Sequence, residues 1–429
     1  MAEIRESSLA EGVRPREAWS WAMYDFANSG YTTVVITAVF NAYFVAVVAG
    51  NAPWATFAWT ATLGVSYALI IVTAPALGAY ADARAAKKRL LGATTAGCVL
   101  FTAALATIGR GDVALAMTLI IASNFFFGSG ENLVAAFLPE IARGRAIGRV
   151  SGWGWSLGYC GGLVALGASL AYVDRAQARG DTATEFVPVT MLITAVIFAV
   201  ASLPTFFFLR ERATASAAPA GAVRAAFARL KDTLAHARRY RDLWRFLVCV
   251  VFYQAGIQTV IALAAVYAGQ VMRFSSRDTI MLILVVNVTA AVGAFFFGHV
   301  QDRLGHVRTI VVTLIGWIAT VLIVWHTTSL AMFWVAANLV GLCMGASQSA
   351  GRALVGYLSP PARTAEFFGL WGLAVKLSSI LGPVTYGIVA WVTGGDHRLA
   401  MLVTGSYFVI GIVIIAGLDV ARGRAAAVR

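Results

Sequence analysis

Charge is scarce in this chain: Asp, Glu, Lys and Arg make up only 12% of its 429 residues, against about a quarter in soluble globular domains. The polar surface that water requires is missing, and lipid is the better solvent for most of the sequence. Cysteine is scarce as well. Cys98, Cys160, Cys249 and Cys343 lie far apart, each inside an apolar run, so neither a disulfide framework nor a zinc site is expected. His236, His299, His306, His326 and His397 show no metal-ligand spacing. No Gly-rich phosphate loop with its Lys occurs, which argues against ATP as energy source and against catalysis; no cofactor and no metal are expected. Acids are outnumbered, 20 against 33 bases, for a net charge of +13. The bases are scattered among short polar segments, not gathered with aromatics into a patch, so nucleic acid is not an expected partner. The alternating ten-residue segments of a β-barrel are missing. No cleavable signal peptide is read, because the first apolar run begins near Trp21, is too long for an h-region and follows a mixed-charge tail.

Long apolar runs are present instead. The chain is 59% hydrophobic with a mean hydropathy of +0.77. About 20 apolar residues cross a bilayer as a helix, and backbone groups in lipid must bond within the segment. Twelve such runs are read, at 21–48, 56–79, 90–108, 114–138, 150–173, 188–209, 246–271, 279–300, 309–326, 331–357, 367–393 and 400–420. The expectation is an all-α integral membrane protein with tails at 1–20 and 421–429 and six-helix halves at 21–209 and 246–420. A connector at 210–245 joins them, its basic part from Val223 to Tyr240 carrying Phe227, Leu230 and Leu234 at the spacing of a surface helix. With the N-terminus inside, only Arg110, Arg175, Arg179, Arg273, Arg277 and Arg398 fall outside, and only Arg352 and Lys376 fall within spans. That asymmetry predicts both termini in the cytoplasm. Trp19, Trp21, Trp54 and Trp59 read as interfacial anchors, and the 41 glycines suit close helix contacts.

A charged pattern occurs twice, after the second and the eighth span. Gly78 precedes Asp82 by four residues, and Lys88 follows Asp82 by six, with Arg84, Lys87 and Arg89 alongside; Gly298, Asp302 and Arg308 repeat the spacing, with Arg303 between. The recurrence predicts a duplicated six-helix unit. Other segments echo at the same separation. Tyr24-Asp25 and the TVVITAVF at 33–40 match Tyr253-Gln254 and the TVIALAAVY at 259–267, and Gly152-Trp-Gly-Trp matches Phe368-Gly-Leu-Trp-Gly372.

Two six-span halves, a long middle connector and the doubled Gly-x-x-x-Asp pattern resemble the major facilitator superfamily. The first span, WSWAMYDFANSGYTTVVITAVFNAYF at 19–44, is similar to the signature of its vacuole-effluxer branch, the relatives of the autophagy-linked vacuolar amino-acid exporter. Phe137-Leu-Pro-Glu140, the GRVSGWGWSLGYCGG at 148–162, Ser347-Gln348 and the AEFFGLWGLAVKLSSILGP at 365–383 carry the same resemblance. The resemblance implies the major facilitator fold, a central cavity lined by spans one, four, seven and ten, and export of small solutes. One departure stands out: Tyr253-Gln254-Ala255-Gly256 lacks the acid of the Tyr-x-Asp-Gly expected there.

Ionisable groups inside a span cost about 2.5–3.5 kcal/mol or more and tend to face a cavity or a partner. The candidates for substrate or proton coupling are Asp25 with Asn28 on one face of the first span, Asn124 and Glu131 in the fourth, and Gln254 and Gln258 in the seventh. Asn338, Gln348 and Arg352 in the tenth and Lys376 in the eleventh complete the set. Bland readings stand beside them: Asp25 as an acid at a helix N-terminus, Arg352 snorkelling, Lys376 in a fixed ion pair, the amides merely joining helices. Aligning Pro139 with Pro360 puts Glu131 and Arg352 at equivalent repeat positions, which predicts a gating pair between them. Gly78 and Gly298 are expected to allow close backbone approach. Asp82 and Asp302 are expected to accept hydrogen bonds from a neighbouring helix N-terminus, and Lys88, Arg89, Arg303 and Arg308 to meet lipid phosphate or an acid. Together these features predict a monomeric secondary-active exporter of small polar solutes such as amino acids. It would work by alternating access in a bacterial inner membrane, with membrane lipid around it and protons as the candidate coupling ion. A multidrug or amphiphile exporter, and a non-transporting receptor or scaffold, are the alternatives.

Overall fold

The computed structural model describes residues 9–143, 146–213, 240–274 and 276–428. Twelve of its helices are long and apolar enough to cross a membrane: α1 (Pro15–Val48), α2 (Ala58–Arg84), α3 (Lys87–Thr107), α4 (Val113–Ile141), α5 (Ile147–Ala178), α6 (Ala183–Phe208), α7 (Arg241–Ala264), α8 (Met281–Leu304), α9 (His306–His326), α10 (Leu330–Leu358), α11 (Pro361–Ala390) and α12 (His397–Ala416). Among the described residues the only β feature is an isolated bridge between Leu9 and Ala142. Val72, Leu100, Phe207 and Val413 are among the large apolar side chains left exposed, as a lipid surround requires. The stretch 214–239, where a surface helix is expected, lies outside the described residues.

The duplication appears in the packing. In the first half α1 packs on α5 and α6, α2 on α4, and α3 on α4 and α6. The second half repeats each pair, with α7 on α11 and α12, α8 on α10, and α9 on α10 and α12. The halves meet along α2–α11 and its counterpart α5–α8, backed by α4–α11 and α5–α10. Glycine makes these crossings close. A Cβ on Gly152 of α5 would stand 2.5 Å from Ala294 O and 2.9 Å from Gly298 Cα of α8, and one on Gly78 of α2 would strike the carbonyl of Ala365 of α11.

Several boundaries differ from the hydropathy reading. α1 begins at Pro15, where proline suits the first helical position and the Glu17 carboxylate accepts the Arg14 N–H at 3.4 Å; two stretches, Tyr31–Ala38 and Phe44–Val48, are π-helical. α2 continues past Gly78 to Arg84, and α8 past Gly298 to Leu304. The charged pattern is therefore not a solvated loop: its glycine and acid lie in the last turns of α2 and α8, the chain reverses at Ala85 (φ 47°) and Gly305 (φ 87°), and Lys88 and Arg308 lie in the first turns of α3 and α9. α12 ends at Ala416, and the expected tail carries a short helix, α13 (Val420–Val428). Asp242 at the start of α7 holds it, accepting from Arg422 Nε and Nη2, both at 2.7 Å. An even number of spans brings both ends of the chain to one face of the bundle, the termini face, which also carries the α2–α3, α4–α5, α8–α9 and α10–α11 turns.

Gly152→Val should push α5 and α8 apart, and overpacking of this kind costs about 1–3 kcal/mol. The melting temperature in detergent should fall clearly below that of Gly167→Val, whose added Cβ meets nothing within 4 Å. Equal melting of the two variants would contradict this account of the crossing.

Candidate functional site

Asp82 sits in the last turn of α2 and Lys87 opens α3, so the reversal at Ala85 folds the two side chains together. Lys87 Nζ lies 3.2 Å from Asp82 Oδ1 and 2.7 Å from Glu140 Oε1, and donates to Thr364 Oγ1 of α11 at 2.6 Å. Asp82 Oδ2 accepts the backbone N–H of Glu366, in the first turn of α11, at 2.9 Å. The Lys87 side chain is fully buried, which an ammonium tolerates only when paired and hydrogen-bonded. A helix turns about 100° per residue, so of three consecutive bases only one faces the joint. Lys88, the base singled out by the repeat spacing, turns away and donates to Leu209 O at 2.6 Å, while Arg89 is exposed. Glu211, just beyond α6, accepts the N–H groups of Lys87 and Lys88 at 2.7 and 3.1 Å. Arg212 bridges Glu140 and Glu17, each at 2.8 Å.

The second copy is simpler. Asp302, in the last turn of α8, accepts the Arg149 N–H in the first turn of α5 at 3.2 Å and Arg149 Nε at 3.1 Å. Val307 stands where Lys87 stands in the first copy, and Arg303 and Arg308 are exposed. Arg149 on the opposing helix supplies the cation instead.

Deeper between the halves, Arg352 of α10 reaches across α5 to α1. Its Nη1 donates to Asp25 Oδ2 at 2.6 Å, its Nε to Ser151 Oγ at 3.1 Å and its Nη2 to Ser151 O at 2.9 Å. The guanidinium also lies over the rings of Trp21 and Trp155, 4.7 and 5.3 Å from their centroids. Gly154 makes the room: a Cβ there would stand 2.5 Å from Arg352 Nη2 and would strike Asp25 Oδ2. Trp21 is fully buried and donates to Val134 O at 2.7 Å. It is no interfacial anchor, and neither is the buried Trp59, whereas Trp19 and Trp54 are about half exposed.

The expected Glu131–Arg352 pair is not formed in this conformation. Repeat equivalence relates two positions by rotation and does not put them in contact; α10 packs on α5, which delivers Arg352 to Asp25. Glu131 faces Lys376 of α11 instead, Oε2 to Nζ 3.8 Å, and Lys376 lies 5.1 Å from the ring centroid of Tyr67 on α2. One turn beyond Arg352, Gln348 accepts from Gln254 Nε2 at 2.7 Å. Asn28 is buried one turn from Asp25, and Gln258 is half-buried. Asn124 ties α4 to Ser66 of α2 at 2.9 Å, and Asn338 returns to Trp334 O of its own helix at 2.8 Å; neither joins the halves. Sequence reasoning did not single out Ser151, Trp155, Tyr67, Glu140 and the burial of Lys87. Gly154 and Trp155 lie in the alternating Gly-Trp-Gly-Trp segment, but their role depends on knowing that α5 faces α10.

The family model described as vacuole effluxer Atg22 like matches residues 48–428. The chain belongs to the Atg22-like vacuole effluxer family. It is 28% identical to the uncharacterized MFS-type transporter YxiO of Bacillus subtilis (strain 168) over 408 residues, covering 92% of this chain and 93% of that protein. Autophagy-related protein 22 of Cryptococcus neoformans is 29% identical over 203 residues, 44% of this chain but only 37% of that longer protein. A solved structure of the major facilitator superfamily proton:xylose symporter XylE superposes with a TM-score of 0.74 over 93% of this chain and 94% of that one at 13% identity, a likeness of fold alone. This Atg22-like chain is thus a membrane transporter of the major facilitator type, a class that takes small-molecule solutes and is not a family of enzymes.

Within this family member, Asp25 and Arg352 form, among the described residues, the shortest charged contact between the halves, 2.6 Å. Removing one partner of a buried pair costs about 3–5 kcal/mol, more than removing both. Arg352→Gln and Asp25→Asn should each lower the melting temperature, and the double variant should regain part of the loss. Single variants that melt like the wild type would show that the pair carries no stability.

Proposed function

We propose that this transporter is a monomeric secondary-active exporter that moves small polar solutes such as amino acids by alternating access, with the termini face in the cytoplasm of a bacterial inner membrane and 210–245 as its cytoplasmic connector. The excess of bases toward the termini face supports that orientation. The contacts of Asp82 with Glu366, Asp302 with Arg149 and Asp25 with Arg352 all draw the halves together toward that face, which supports reading this conformation as closed to the cytoplasm. One observation carries the solute assignment. Glu131 and Lys376 oppose each other in mid-bundle with side chains 31% and 12% exposed, offering both signs of charge at one level, as a zwitterion requires. Asp25 supports proton coupling. When the halves part at the termini face it loses Arg352, and a proton can replace that cation on its carboxylate.

Reconstituted vesicles loaded with unlabelled amino acids provide the test. Wild-type protein should accelerate counterflow of the labelled solute, and Glu131→Gln should slow it at least about tenfold, the equivalent of 1.4 kcal/mol. Asp25→Asn should abolish stimulation by a pH gradient while leaving counterflow measurable. Counterflow no faster than in protein-free vesicles for every amino acid tried would overturn the solute assignment.

A further inference from the structure

The charged contacts between the halves are of two kinds. Arg352–Asp25 and Arg149–Asp302 are hydrogen-bonded, at 2.6 and 3.1 Å. Lys376–Glu131 is long, 3.8 Å, and among the described residues Lys376 Nζ makes no hydrogen bond. What surrounds this ammonium is a carboxylate on one side and the face of an aromatic ring, Tyr67, with its centroid 5.1 Å away. A ring face attracts a cation through its quadrupole, and with an acid beside it makes a receptor for an organic ammonium. Both receptor groups belong to the first half, Tyr67 on α2 and Glu131 on α4, whereas Lys376 comes from α11 of the second. Gly128, three residues before Glu131 on α4, lies beside the lysine stem: a Cβ there would be in ordinary contact with Lys376 Cε, at 3.6 Å, and it is Ile70 Cδ1 of α2, at 2.6 Å, that it would crowd.

We propose that Glu131 and Tyr67 form a binding site for a primary ammonium group, and that Lys376 occupies it as a tethered substitute until a solute ammonium displaces it. This rests on the solute site proposed above and names the chemistry by which that site is entered. The exchange is of one monocation for another, so the charge of the site is unchanged and no bond is made or broken. The displaced Lys376 stays at the same level with its charge uncompensated, ready for an anionic group at the other end of the solute. Displacement also undoes a contact between α11 and the α2–α4 pair, so solute entry itself alters how the halves are held.

Titration calorimetry with n-butylammonium on purified protein, which requires no turnover, tests the proposal. Lys376→Met vacates the receptor and should bind n-butylammonium at least about tenfold more tightly than the wild type. Adding Glu131→Gln to Lys376→Met should remove the gain, and adding Tyr67→Leu should weaken it severalfold; n-butanol should show no gain in any variant. If Lys376→Met does not fold, Lys376→Gln takes its place with the same expected outcomes. The proposal is overturned by no gain on removing Lys376, by a gain that survives Glu131→Gln, or by an equal gain for n-butanol, which would mean a merely apolar space. The expected pattern in a protein that fails to exchange amino acids would keep the ammonium site and reject the exporter reading alone; vesicle exchange without the pattern would do the reverse.

Discussion

A carboxylate in the last turn of a helix lies at the negative end of that helix's own dipole, where an acid is disfavoured. Asp82 and Asp302 both occupy such places, and each is stabilised by an N–H in the first turn of a helix from the other half, Glu366 of α11 and Arg149 of α5. The carboxylate is wrong for the helix that carries it and right for the helix it meets, so the favourable interaction exists only while the halves are together at the termini face. The glycine crossings at Gly78 and Gly152 let the backbones approach closely enough for these contacts, and the seating of Arg352 on Asp25 depends on the same approach.

The two copies have diverged in how they supply the cation. In the first, Lys87 is buried among Asp82, Glu140 and Thr364 and is further tied, through Glu211 and Arg212, to the segment leaving α6. In the second, Arg149 on the opposing helix does this and remains partly exposed. The α2–α11 joint is therefore the more heavily built of the two. Lys376 lies on the same α11, so the latch at the termini face and the mid-bundle charge pair share one rigid element. A helix is a short lever, and a shift of α11 at Glu366 also moves Lys376 relative to Glu131 and Tyr67.

Much of this is legible in the sequence. Hydropathy identifies the spans, and the doubled spacing of Gly78–Asp82 and Gly298–Asp302 identifies the repeat. What hydropathy misses are helix ends, because polar last turns such as Tyr80–Arg84 score as loop although their backbones remain helical. Charge partners are missed for a different reason. The repeat shows that Glu131 and Arg352 are equivalent, yet contact depends on which helices cross, and α5 intervenes to give Arg352 to Asp25. Lys87 is missed because three adjacent bases look alike in sequence and only the phase of α3 buries the first.

The central claim is that two carboxylates at helix ends hold the halves together at the termini face. Spin labels at positions 84 and 303, both exposed and in opposite halves, report that separation directly, with Cys160, the exposed cysteine, replaced. Wild-type protein should show one dominant short distance. Asp82→Asn with Asp302→Asn keeps the shapes but loses the charge assistance, which about doubles a hydrogen bond's strength. A coupling of about 1–3 kcal/mol should raise a longer-distance population several-fold or more. An unchanged distance distribution in the double variant would contradict the account.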